Sequence, residues 1–143
     1  MKVGMVTRRM FFDRKTVVAR VDRATRKVFS RFGAYVRTGA KSSIRKRKSV
    51  SPPGRPPSSH TGLLKKLIYF GYDRDRKSVV IGPTPLRQGF GGQAPELLEH
   101  GGRARRKRRG KAYTATYSAR PFMRPAFERE QQKLPVMWRD SVR

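Results

Sequence analysis

From Asp13 onward, apolar residues recur at steps of three and four: Val17, Val21, Ala24, Val28, Phe32 and Tyr35, with Ala40 and Ile44 able to extend the stripe. This spacing predicts one long amphipathic helix from about residue 13 to about residue 46, with Asp13 as its N-cap. The opposite face carries Arg14, Lys15, Arg20, Arg23, Arg26, Lys27 and Arg31, a pattern that ordinarily means solvated helix surface. Gly33 and Gly39 weaken the helical propensity of the second half. The pattern then breaks at SVSPPGRPPSSHTG, where prolines, glycines and hydroxyl residues exclude regular structure between residues 49 and 62. His60 and Thr61 are placed to lead into a strand.

LLKKLIYFGY, the polar turn Asp73 to Lys77, and SVVI closed by Gly82 and Pro83 predict an antiparallel hairpin over residues 63–82. Its near-continuous apolar runs imply that both faces are covered, one by the long helix and the other by a neighbour or a later element. A glycine-rich connection follows from Thr84 to Gln93, without the Gly-Lys-Ser/Thr ending or the glycine spacing of a nucleotide-binding loop. PELLEHGG reads as one or two helical turns that place Leu97 and Leu98 in the core. RARRKRRGK then brings Arg103, Arg105, Arg106, Lys107, Arg108, Arg109 and Lys111 together, a charge density expected of a loop or an anion-contacting arm over residues 103–111. AYTATY, residues 112–117, is expected to return as a third strand of the hairpin's sheet. ARPFMRPAFE makes a stiff strap: Pro121 and Pro125 favour extended geometry at Arg120 and Arg124, and Pro125 is suited to open a helix with Glu128 and Glu130 in its first turn. Strap and helix span residues 119–139, with a kink or restart at Pro135.

Composition changes this picture in two ways. The 143 residues suffice for one core, yet 36 Lys and Arg stand against 9 Asp and Glu, a formal charge of +27. Such a chain repels itself unless it meets a polyanion or an assembly, and the clusters at Arg45, Lys46, Arg47 and Lys48 and at 103–111 favour contact with nucleic acid. With no cysteine, two separated histidines and scattered carboxylates, no nucleophile-base pair, metal site or cofactor site is expected. Glu99 with His100 is the only adjacent acid-base pair. No apolar run reaches signal-peptide or membrane-span length, so the chain is expected to be soluble and intracellular when made, without a membrane partner.

The order PPSSHTGLL, a hairpin ending in VVIGP, PELLEHGG and ARPFMRPAFE, from about Ala40 to Gln132, resembles the small head-to-tail joining, or tail-completion, proteins of long-tailed bacteriophages and prophages. No single motif is specific; their order carries the resemblance. It implies a single-domain α+β fold, with a long N-terminal helix packed on a small antiparallel sheet of hairpin plus return strand and a short C-terminal helix. It also implies a non-enzymatic virion protein of the neck, present in the host cytoplasm during assembly and forming a ring of six copies at the head-tail junction. Implied partners are other copies of the chain, a head-closure or portal-side protein, a tail terminator or tail tube protein, and double-stranded DNA in the lumen. The basic residues at 45–48 and 103–111 would then face DNA, while Leu67, Tyr69, Leu97, Leu98, Phe122, Met123 and Phe127 would close the core or the assembly surface. The basic insert at 103–111 and the weight of positive charge depart from the pattern and leave the station within the neck open. A sequence-independent nucleic-acid-binding protein of ribosomal or nucleoid type is the alternative, because phosphate contacts alone would account for the charge.

Overall fold

A 30-residue helix, α1 (Arg14–Ser43), is the element on which the others pack in the computed structural model, which describes residues 13–84 and 94–141. The first twelve residues and nearly all of the glycine-rich connection, residues 85–93, lie outside the described residues. Asp13 caps α1 as expected: its carboxylate accepts from the Thr16 amide at 3.2 Å and from the Thr16 hydroxyl at 2.5 Å. The hydrogen bond from the Thr16 side chain is the main cause that holds the Asp13 carboxyl below its ordinary value.

The buried stripe differs from the expected one. Ala24, Val28, Phe32, Val36, Ala40 and Ile44 are buried in steps of four, whereas Val17, Val21 and Tyr35 are exposed. The two glycines explain the shift. A Cβ on Gly33 would stand 2.8 Å from the side chains of Phe70 and Val79, and one on Gly39 would meet the Arg129 guanidinium and Ala126. They weaken α1 locally but let a sheet and a second helix approach its backbone closely.

After α1 the chain is extended. Arg45 bridges Ser58 in parallel, the Ser59 amide donates to the Arg45 carbonyl at 3.0 Å, and Pro57 is fully buried. The proline-rich segment is therefore a strap. Residues 63–66 are not strand as expected but one helical turn, α2 (Leu63–Lys66), and the first strand starts later, β1 (Ile68–Asp73). Leu63, Leu64, Leu67 and Ile68 recur with helical spacing, which turns Leu64 and Ile68 into the same core. Thr61 and Gly62 lead into that turn: the Leu63 amide donates to the Thr61 hydroxyl at 3.3 Å, and Gly62 is left-handed.

β1 pairs antiparallel with β2 (Ser78–Pro83), Phe70 opposite Ile81 and Gly71 opposite Val80. The Asp73 carboxylate tightens the turn by accepting from the amides of Asp75 and Arg76 at 3.0 and 3.1 Å. The hairpin's inner face, with Phe70, Val79 and Ile81, lies on α1. The Arg37 guanidinium bridges the two elements by donating to the Ile68 carbonyl at 2.8 Å.

α3 (Ala94–His100) leads into a second antiparallel pair, β3 (Gly102–Arg108) and β4 (Lys111–Tyr117). The fold class is α+β, but the expected return strand does not join the first hairpin: the sheets are separate, with two strands each. Two helices close the chain, α4 (Met123–Gln131) and α5 (Leu134–Arg139), the latter restarted at Pro135. Both pack on α1, with edge-to-face ring pairs Phe32–Phe127 at 5.5 Å and Phe29–Trp138 at 5.7 Å.

α4 begins two residues before Pro125, so Arg124 is helical and Glu128 and Glu130 lie beyond the first turn. The reason is an acid from outside the helix. The Glu99 carboxylate accepts from the amides of Phe122, Met123 and Arg124 at 2.9, 3.0 and 2.8 Å, which supplies the negative charge that the strap lacks.

Glu130, 5% exposed, accepts from Lys133 at 2.7 Å and from Arg129 at 3.3 Å. The Lys133 hydrogen bond leads the causes that hold its carboxyl below the ordinary value, and burial opposes them. A depressed folded-state value contributes stability that is present above the unfolded carboxylate range and is lost as pH falls through the folded value. Glu130→Gln is expected to cost about 1–2 kcal/mol at pH 7, because the abandoned cations stay solvated. Urea melts should show the gap to wild type narrowing as pH falls below the ordinary carboxylate range; a gap as large there as at pH 7 would contradict the assignment.

Candidate nucleic-acid interface

The basic run expected as a loop is folded. β3 and β4 pair from Gly102 with Tyr117 to Arg108 with Lys111, and Arg109 and Gly110 form the two-residue connection. Both have positive φ, 49° and 81°, the combination of a type I′ hairpin turn. Seven residues per strand give an arm about 23 Å long at the usual rise. Its principal contacts are those between its own strands and those with the end of α3.

Strand alternation distributes the charge. Arg106, Arg108 and Lys111 share one face with Tyr113 and Tyr117; Arg103, Arg105 and Lys107 share the other with Thr114 and Thr116; Arg109 stands at the tip. The Arg106 guanidinium donates to the Tyr117 hydroxyl at 2.7 Å and lies 5.4 Å from the centre of that ring. Among the described residues no carboxylate forms an ion pair with any of the seven cations. The ion pairs of Asp22, Glu128, Glu130 and Asp140 are with Lys77, Arg124, Arg129, Lys133 and Arg139. An arm charged on both faces suits a space between two rows of phosphates better than a flat partner, and a two-stranded ribbon is narrow enough for a DNA groove.

The second cluster, Arg45, Lys46, Arg47 and Lys48, is exposed just beyond α1. The structure connects it to the arm through the proline-rich strap. The Gly54 amide donates to the Ala119 carbonyl at 2.8 Å, and the Arg120 guanidinium donates to the carbonyls of Ser51 and Ser118 at 2.8 and 3.2 Å, fastening the strap to the chain that leaves β4. Burial first, then the nearby Arg37 and Lys65, pushes the Lys41 ammonium below its usual value.

No family model, curated protein or solved structure matches this chain.

The apolar residues named from the sequence separate into two groups. Phe122 is buried, Leu98 and Met123 pack against the core, and Leu67 and Leu97 are half-buried. Phe127 is partly exposed but packs edge-on against Phe32, whereas Tyr69 points outward, 50% exposed. With Val80, 65% exposed, Tyr69 lies on the hairpin face opposite α1, which nothing covers among the described residues. His60 and His100 are exposed, and Glu99 is occupied by the start of α4. Among the described residues no three His, Asp or Glu side chains converge as a metal site would require, and no helix is long and apolar enough to cross a membrane. The sequence reading missed Glu99 as a cap and Arg55 as a member of the basic surface. Arg109–Gly110 between alternating segments was the available signal for the ribbon.

Proposed function

We propose that this chain is a non-enzymatic structural subunit that contacts duplex DNA through the β3–β4 arm, without regard to sequence. The setting is the one its motif order implies: a ring at the head-tail junction of a long-tailed phage particle. The observation that carries the reading is the arm, which holds seven cations in nine positions on both faces and at the tip of a two-stranded ribbon, unpaired by any acid among the described residues. Such a device serves a partner with many phosphates and no fixed sequence, as packaged DNA in a lumen is. The open hairpin face with Tyr69 and Val80 supports contact with another copy or with an adjoining neck protein, because an apolar sheet face is a ready interface. A nucleoid or ribosomal role uses the same arm but gives no use to that face.

Electron microscopy of assembled particles tests the setting. The chain should form a ring between head and tail, and the pair Tyr69→Glu and Val80→Glu, which leaves the buried residues intact, should yield unjoined heads and tails. Normal joining by that variant, or a chain found only on ribosomes or bulk nucleoid, would contradict it.

A further inference from the structure

A cleft of about 550 Å³ opens between the end of α1 and the proline-rich strap. Arg45, Arg47 and Arg55 line it, and Lys46 and Lys48 do not. The extended chain after α1 explains the selection, since alternate residues face the same side. None of the three arginines has an ion-pair partner among the described residues. Ser51 also belongs to the lining, and its hydroxyl oxygen is buried from solvent with no hydrogen-bond partner. A buried hydroxyl without a partner is uncommon, and a turn of the Ser51 side chain toward the cleft would give it one on a ligand.

The negative end of α1 opposes an anion here, but its strength is about half a charge against three full guanidinium charges. That end is also partly satisfied from within, as the hydroxyls of Ser42 and Ser43 donate to the carbonyls of Gly39 and Ala40 at 2.9 and 2.8 Å. The backbone around the cleft is held: Pro56 and Pro57 line the strap side, and the Ser51 carbonyl accepts from Arg120.

From these features we infer that the cleft is a phosphoryl-binding site, in which the guanidinium groups of Arg45, Arg47 and Arg55 hold the oxygens and the Ser51 hydroxyl donates to one of them. Guanidinium forks match phosphate oxygens, and the volume admits the organic group attached to the phosphorus. The site is distinct from the arm and does not depend on the neck reading. Its phosphoryl group can come from a nucleic-acid backbone or from a free phosphate compound.

Titration calorimetry of the full chain with inorganic pyrophosphate tests it at physiological salt. One saturable site per chain is expected. Arg55→Gln and Arg47→Gln should each weaken it about tenfold, the effect of one lost charge-assisted hydrogen bond. Ser51→Ala should weaken it several-fold, whereas Gln at Arg105, Arg106, Arg108 and Arg109 together should leave it unchanged. Displacement of pyrophosphate by short duplex DNA would support the site and assign it to the backbone; retention under saturating duplex would support it and assign it to a free compound. Binding that does not saturate, or that the arm variant weakens as much as Arg55→Gln does, would overturn the inference.

Discussion

Phe122→Ala should lower the unfolding free energy by about 3–5 kcal/mol, the usual cost of emptying a phenylalanine site in a packed core. Phe122 is 1% exposed and belongs to the cluster of Phe32, Val36, Ala40, Ile44, Leu64, Ile68 and Ala126. It touches the fold where α1, the first hairpin and the closing strap meet, and its amide is held by Glu99. Domains of this size are stable by only about 5–15 kcal/mol, so the loss is a large fraction of the whole. Phe122→Asp would bury an unpaired charge at the same point and should abolish folding, not merely assembly. Urea unfolding of the purified chain measures the effect, and a loss below about 1 kcal/mol would mean that the core does not depend on this residue as its burial requires.

That residue also shows how far the sequence could be read. Proline spacing and apolar weight marked ARPFMRPAFE as a closure, and Phe122 is indeed core. What was not legible was how the helix after it starts, because its cap is Glu99, distant in sequence. The long helix was legible in place and length from its period. Its buried face shifted because Gly33 and Gly39, which propensity counts against a helix, are where the sheet and α4 come close. Propensity sees the cost to the helix and not the packing gained. In LLKKLI, composition favoured strand while the spacing of the leucines was helical, and spacing prevailed because it turns Leu64 and Ile68 inward together.

The basic segment differs most from its expectation. Seven cations in nine positions argue for a loop as long as only self-repulsion is considered. Pairing with AYTATY overrides that, since strand alternation places the cations of β3 on both faces and Arg109–Gly110 supplies the turn. The same pairing removed AYTATY from the first sheet. The candidate DNA-contacting residues were therefore legible as a cluster from charge alone, while their arrangement on a two-stranded arm followed from the local pairing with AYTATY, for which Arg109–Gly110 was the signal.

Removing charge from the arm should produce the second large effect. Each phosphate neutralised on duplex DNA contributes about −0.9 to the slope of log affinity against log salt, so replacing Arg105, Arg106, Arg108 and Arg109 with Gln should flatten the slope by about 3 to 4 units if all four reach phosphates. The replacements leave the turn glycine and the partner strand in place, and Arg105, Arg108 and Arg109 are exposed without ion pairs among the described residues. Arg106 alone gives up a bond, to Tyr117. Sequence should not matter, because contacts of this kind are to the backbone and not to base edges. The measurement is the salt dependence of binding to duplexes of unrelated sequence, for wild type and for the fourfold variant side by side. The account predicts a steep slope for wild type, equal across sequences, and a much shallower one for the variant; equal slopes for the two proteins would contradict it.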